Sequence, residues 1–314
     1  MDDRTRLKAL ALMAEYLDSH GRSQEAGALL RLTSEALLDG QIGAGDDLKL
    51  MRQRVWCCLA YALTHLRANR TREAGKVILA VREFVDVRLI RPEFPCHGTV
   101  ALLRYYEGLW RRNIGELDHA ARACDGALDR ARMRYEEKRA KYEGIDGDRL
   151  RRELVYFRVM MARILGFGHG GIALARGRHL EARGWMIAAS QFLSQLGQEH
   201  WRRGLEVYER CAAVLVADLE NGSIARLNDE ALKLRGLAEW FASRNRRNGF
   251  VAAAFGVVAE VRVRQIESGE VRRVNLAGLR KRLGFLLKEA YADAGPLSGS
   301  AALGLIECLL RGGE

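Results

Sequence analysis

Arginine is the side chain through which this chain has most scope to do chemistry. It recurs in short clusters: Arg130, Arg132 and Arg134; Arg149, Arg151 and Arg152; Arg202 and Arg203; Arg244, Arg246 and Arg247; and Arg272 and Arg273 with Arg280, Lys281 and Arg282. A guanidinium donates several N–H bonds in one plane, which suits phosphates and carboxylates. Trp201 stands beside Arg202 and Arg203, and Trp240 lies near Arg244, so two clusters carry an aromatic ring that can stack on a base or a cation. The same pattern also fits a scatter of solvated surface charge, much of it neutralised by neighbouring glutamates.

Catalytic constellations are sparse. Arg112-Asn113 followed by His119, and Arg163 followed by His169, have an arginine-to-histidine spacing that resembles helical ribonucleases of the HEPN class. In a chain this rich in arginine such pairs arise by chance, and the first pair crosses a turn between two helices. His179 sits at a turn, where packing is its expected role. Cys96-His97 offers two adjacent ligand types without a second pair, a poor zinc site. The chain has no Walker-type phosphate-binding loop and no HExxH motif. The expectation is a non-enzyme with no cofactor and no metal.

The bulk composition bounds the class of protein. In 314 residues there are 51 Lys and Arg against 40 Asp and Glu, a net charge of +11. A pI near 9.6 permits an acidic protein, a nucleic acid or an anionic surface as partner. The six cysteines, at 57, 58, 96, 124, 211 and 308, form no CxxC pair. Cys57 and Cys58 would point about 100° apart on a helix, so buried reduced thiols are expected. The start, Met1-Asp2-Asp3-Arg4, is charged, and the longest apolar run, Gly249 to Ala259, is too short to span a bilayer. These readings predict a cytoplasmic protein with no membrane partner; oligomeric state stays open.

Only three prolines occur, while Ala, Leu, Arg and Glu dominate. Long uninterrupted helices follow. Apolar residues at helical spacing predict hairpins over 4–19 and 22–39, 47–67 and 71–90, 99–113 and 115–143, 149–176 and 178–196, 199–219 and 223–243, and 250–267 and 270–293. Gly166, Gly168, Gly170 and Gly171 are expected to disturb the helix that contains them, and Arg244 to Gly249 reads as a basic loop. A charged stretch, Arg130 to Lys141, reads as a solvated extension or arm. An apolar segment, Ala301 to Leu310, follows Gly295-Pro296 and is expected to cap the array. Leu279 through Gly295 has the spacing of a phage-repressor-type helix-turn-helix opening, but the helix after it carries no base-reading side chains.

Two windows share a pattern of small residues. Gly108, Gly115, Ala120 and Ala127 repeat as Gly170, Gly177, Ala182 and Ala189. A small residue on the first helix lets the second approach closely, a glycine closes the turn, and small residues on the second helix admit the next unit. Together with Tyr105-Tyr106-Glu107-Gly108-Leu109-Trp110 in one window and Gly177-Arg178-His179-Leu180-Glu181-Ala182 in the other, this pattern resembles the tetratricopeptide repeat superfamily. Units of about 45 residues, rather than 34, are more similar to the sensor solenoids of bacterial transcriptional regulators. The resemblance implies an all-α, right-handed solenoid of about six hairpins forming a single domain over 1–314, with N-terminal hairpins over 1–143, C-terminal hairpins over 149–293 and a capping helix over 297–314. It implies a non-catalytic scaffold that binds a protein segment, acidic by charge balance, in its concave face. The alternatives are a nucleic-acid-associated subunit using its arginine clusters and, more weakly, a ribonuclease. The candidate binding residues are Tyr105, Tyr106, Trp110, Arg151, Arg152, Trp201, Arg202, Arg203, Arg246 and Arg247; the aromatics among them fit a helical core as well as a groove.

Overall fold

A computed structural model describes residues 2–20, 22–39, 47–68, 70–90, 96–141, 148–219, 223–268, 281 and 284. Among the described residues the chain is helical throughout and contains no strand. The helices are α1 (Asp3–Ser19), α2 (Ser23–Leu38), α3 (Leu48–Arg67), α4 (Thr71–Phe84), α5 (His97–Asn113), α6 (Leu117–Lys141), α7 (Asp148–Arg163), α8 (Gly171–Ala175), α9 (His179–Ser194), α10 (Glu199–Leu219), α11 (Ile224–Phe241) and α12 (Arg246–Glu267). Two π-helical turns interrupt the pattern, Val85–Leu89 after α4 and Ile164–Gly170 between α7 and α8. The second falls on the glycine run expected to disturb this helix. None of the helices is long and apolar enough, among the described residues, to cross a membrane. Residues 281 and 284 apart, the second helix expected for the last hairpin and the expected capping segment lie outside the described residues.

Local signals set the helix ends. Asp2 accepts the Thr5 N–H at 2.7 Å, Asp47 accepts from Lys49 and Leu50, and Ser223 accepts from Arg226. Each cap satisfies amides that the first turn leaves without a helical partner. At the other end, Gly115 (φ 85°) and Gly177 (φ 72°) adopt the left-handed conformation that glycine takes without steric cost. The following residue then donates to the carbonyl five positions back, Glu116 to Arg111 and Arg178 to Ala173, both at 2.9 Å. The two glycines therefore close their turns in the same way.

The chain divides into two compact units, one covering 1–18 and 23–168, the other 19–22 and 169–314. In the first, α2 packs on α3, α3 on α4 and α5, and α5 on α6. The apolar face of α4 (Ala74, Val77, Ile78 and Val81) recurs at three- and four-residue spacing, and all four side chains are buried. Burying an aliphatic side chain of Ile78's size contributes about 1.5–3 kcal/mol, which is why this periodicity places the helix. A Cβ added at Gly108 would lie 2.6 Å from Cys124 Sγ and 3.2 Å from the Ala120 carbonyl. Helix α5 can thus approach α6 this closely only because position 108 lacks a side chain.

In the second unit α8 packs on α9, α9 on α10, and α10 and α11 on α12. Its core combines Phe241, Phe250 and Phe255 with Leu234, Val214 and Met186. Here a Cβ at Gly170 would meet Met186 at 3.2 Å and the Ala182 carbonyl at 3.4 Å. Gly108 faces Ala120 and residue 124; Gly170 faces Ala182 and residue 186. The same offsets carry the same close approach, and Ala120, Ala127, Ala182 and Ala189 are all fully buried. The two small-residue windows therefore share the same local close approaches, although Gly108 lies within α5 and Gly170 ends a π-helical turn.

Candidate functional site

In the second unit the antiparallel packing of α10 and α11 brings the first turn of α10 against the end of α11. That first turn carries Glu199, His200, Trp201, Arg202 and Arg203; the end of α11 carries Trp240 and Phe241; the link to α12 carries Arg244. Sequence segments separated by some forty residues thus form one basic-aromatic cluster.

Its centre is the Trp240 indole. The Arg203 guanidinium carbon lies 5.1 Å from the ring centroid and that of Arg244 lies 4.7 Å from it. Phe241 sits edge-on at 4.6 Å and the His200 ring lies 6.0 Å away. His200 also touches Phe241 (5.7 Å) and Trp201 (6.0 Å) edge-on. Each cation over the ring face gains about 0.5–1 kcal/mol at an exposed site. The larger consequence is positional: an arginine held against a ring has already lost much of its rotamer freedom before any anion arrives.

The cluster's hydrogen bonding shows which acceptors the guanidiniums donate to. Arg202 forks onto Glu199 through Nε (2.9 Å) and Nη2 (2.8 Å), and reaches Glu206 at 3.4 Å. Arg203 Nε donates to Glu199 at 2.6 Å. These hydrogen bonds, from Arg202 first and Arg203 second, pull the exposed Glu199 carboxyl down to about 2 from an ordinary value of 4.5. Arg244 Nη1 donates to the Trp240 carbonyl at 2.8 Å. Among the described residues, the two terminal nitrogens of Arg203 and the Nε and Nη2 of Arg244 hold no further protein hydrogen bond. Two positioned forks therefore keep donors open beside the same ring.

Arg246 and Arg247 begin α12, and do not lie in a loop as their sequence suggested. Asn245 caps the helix by accepting the Asn248 N–H at 3.1 Å, and no acidic residue occupies the first turn. Both arginines are half-buried, and Arg247 Nε is buried without a hydrogen bond. Cations at a helix N-terminus add to the positive end of its dipole.

The chain has no match among family models, curated proteins or solved structures.

The remaining sequence candidates fall elsewhere. Tyr105 and Tyr106 are 3% and 5% exposed, with ring centroids 5.5 Å apart, inside the first unit. They pack as core because α5 has neighbours on several sides, and they line no open groove. The Arg163 guanidinium lies 5.6 Å over the Tyr105 ring, and burial pushes both tyrosine hydroxyls up. Trp110 is half-buried: its indole fills the space over Gly75, where a Cβ would come within 2.7 Å, and Arg111 lies 5.0 Å from its ring. Arg151 and Arg152 are exposed on the first turns of α7, in the first unit.

Members of the ribonuclease-like pairs make contacts of their own. Arg112 donates to Asn113 Oδ1 and to the Phe167 carbonyl (3.1 Å), which ties it to the π-helical turn, while the exposed His119 lies 3.8 Å from Glu116. His169 stacks on Trp185 at 5.2 Å. His179 is buried at the start of α9, and burial lowers its pKa. Sequence reasoning singled out Trp240 and Arg244 but passed over Glu199, His200 and Phe241. Glu199 was legible in principle, standing three and four residues before the two arginines it holds.

Proposed function

We infer that this chain is a non-catalytic scaffold, a tetratricopeptide-like α-solenoid of about six hairpins, that binds an acidic protein segment through the Arg203–Trp240–Arg244 cluster. The solenoid reading draws support from the matching close approaches at Gly108 and Gly170 and the matching left-handed turns at Gly115 and Gly177. The observation that carries the binding reading is the pair of guanidiniums over Trp240 with open N–H groups. A carboxylate-bearing segment fits this site better than a nucleic acid does. Base stacking needs a free ring face, and the Trp240 indole is already covered by cations and flanked by Phe241. Carboxylate recognition needs preset forks, and Glu199 shows two neighbouring arginines engaging one carboxylate. The excess of basic over acidic side chains, 51 to 40, adds positive potential that steers an acidic partner on approach.

Fluorescence anisotropy with a labelled oligoglutamate peptide and a labelled single-stranded RNA of equal charge tests this. The expected result is tighter binding of the peptide, weakened by salt and reduced at least tenfold in Arg203→Glu/Arg244→Glu. Tighter binding of the RNA, with the same loss in the variant, would transfer the site to nucleic acid. Unchanged peptide binding in the variant would remove the site from the account.

A further inference from the structure

Helix α4 begins without a side-chain acceptor. Its N-cap residue is Arg70, which has donors only, and no side chain caps the amides of the first turn. The half-buried Arg70 makes no side-chain hydrogen bond or ion pair among the described residues, and its Nε is buried. Buried donors are normally bonded, so a guanidinium left without an acceptor at the positive end of a helix calls for one.

His65 brings a second unbonded group to the same turn. It is 5% exposed near the end of α3, and its Nδ1 is buried without a partner. The Arg70 N–H donates to the His65 carbonyl at 2.9 Å, which folds the start of α4 against the end of α3. The Tyr61 ring packs edge-on against the imidazole at 4.4 Å and fixes its plane. Burial first and Arg70 second hold the His65 pKa down at about 4, while Glu73, from the first turn of α4, acts in the opposite sense. The imidazole is therefore neutral at pH 7, with one N–H to give, and it faces the opening turn of α4.

The matching turn in the second unit is satisfied from within the chain. Arg178 stands at the N-cap of α9 with nearly the same backbone (φ −86°, ψ 65°, against −90° and 68° at Arg70), and its N–H likewise reaches the carbonyl five residues back, that of Ala173. There Arg178 pairs with Glu181 at 3.4 Å, and alanine takes the place of His65. At α4 the corresponding Glu73 is exposed and makes no ion pair with Arg70. One turn thus closes its own charge, and the other leaves a guanidinium and a buried imidazole unbonded.

We propose that the α3–α4 turn is an oxyanion site that takes a phosphoryl group, held by the Arg70 guanidinium, the His65 imidazole and the first-turn amides of α4. Three kinds of donor suit the three terminal oxygens of a phosphoryl group better than the two of a carboxylate. The site lies in the first unit, the Trp240 cluster lies in the second, and neither reading depends on the other.

Amide NMR of the full chain, titrated at constant ionic strength with sodium phosphate, O-phosphoserine and acetate, tests it. Millimolar phosphate is expected to give saturable shifts at Thr71, Arg72 and Glu73, with acetate at least about tenfold weaker. Arg70→Gln removes no bond within the protein, so it keeps the wild-type melting temperature while weakening phosphate at least about tenfold. Arg70→Lys, which keeps the charge and loses the fork, falls between the two. Arg203→Glu/Arg244→Glu leaves these shifts unchanged, which separates this site from the Trp240 cluster. O-phosphoserine bound within about tenfold of phosphate identifies a phosphorylated ligand, and weaker binding than that identifies the free ion. Absence of saturable shifts at residues 71–73 overturns the proposal. So does phosphate affinity unchanged in Arg70→Gln or in His65→Leu, or acetate bound as tightly as phosphate.

Discussion

Replacing Gly108 by alanine sets two effects against each other, and the structure decides between them. Gly108 lies in the middle of α5, so the substitution gains up to ~1 kcal/mol of helix propensity. The new methyl group would lie 2.6 Å from Cys124 Sγ and 3.2 Å from the Ala120 carbonyl oxygen. Neither can retreat easily. The carbonyl belongs to the backbone of α6, and the fully buried Cys124 sulfur is hemmed in on another side by Gly168, whose own added Cβ would meet it at 3.0 Å. Overpacking of a rigid core costs about 1–3 kcal/mol, so Gly108→Ala is expected to lose about 1–2 kcal/mol net. Gly126, on α6, has nothing within 4 Å of an added Cβ, and Gly126→Ala is expected to gain about 0.5–1 kcal/mol. Gly170→Ala should fall near zero, because Met186, whose atoms lie nearest an added Cβ, can shift by rotating. Chemical denaturation followed by circular dichroism measures all three, and Gly108→Ala/Cys124→Ala should recover part of the loss as a coupling energy of ~1 kcal/mol. If Gly108→Ala matches or exceeds the wild type in stability, the close approach of α5 to α6 is wrong.

Three further outcomes follow from buried polar groups. Glu107 is 4% exposed and receives Arg104 Nη1 at 3.0 Å and Arg82 Nη1 at 3.3 Å, with Arg111 Nη2 at 3.6 Å. Glu107→Gln is expected to cost about 1–3 kcal/mol by leaving cations opposed, whereas Glu35→Gln, at the exposed pair with Arg31, should cost under ~0.5 kcal/mol; denaturation midpoints compare them. His65 is buried and its pKa is pushed down to about 4, chiefly by burial and then by Arg70. The unfolded chain therefore takes up this proton first as pH falls from about 6.5 toward 4, and stability drops by ~1–3 kcal/mol across that window while staying flat above it; His65→Leu removes this slope. Burial pushes the Cys57, Cys58 and Cys124 thiols up to about 12, so a thiol reagent should modify them only at the rate of unfolding, and rapid modification of the folded chain would contradict their placement.

Much of the local architecture was legible in the residues. The boundaries expected for α1 to α3, and for α4 taken with the π-helical turn that continues it to Leu89, fall within about two residues of those observed, because Gly, Asn and capping Asp mark the turns and the apolar spacing between them is unbroken. The two small-residue quartets told which positions sit at helix contacts, since Gly108 and Gly170 both stand where an added Cβ would meet the helix that follows. Arg246 and Arg247 were misplaced because Arg244-Asn245-Arg246-Arg247-Asn248 contains no apolar residue to show a helical face, although Asn245 is a capping residue. Tyr105 and Tyr106 could not be assigned to core or groove from spacing, as this depends on how many helices surround α5. The cluster itself was only half visible. Its arginines and tryptophans stood out, but their convergence on one ring depends on α10 and α11 running antiparallel, which sequence periodicity does not encode.

Exchanging the sign of the cluster asks the central question most directly. Isothermal titration of the full chain and of Arg203→Glu/Arg244→Glu, each with an oligoglutamate and an oligolysine peptide, reads it out. Binding of the acidic peptide by the wild type alone, and of the basic peptide by the variant alone, is the predicted result. An acidic peptide bound equally by both proteins would contradict the assignment of this chain's anion recognition to Arg203, Trp240 and Arg244.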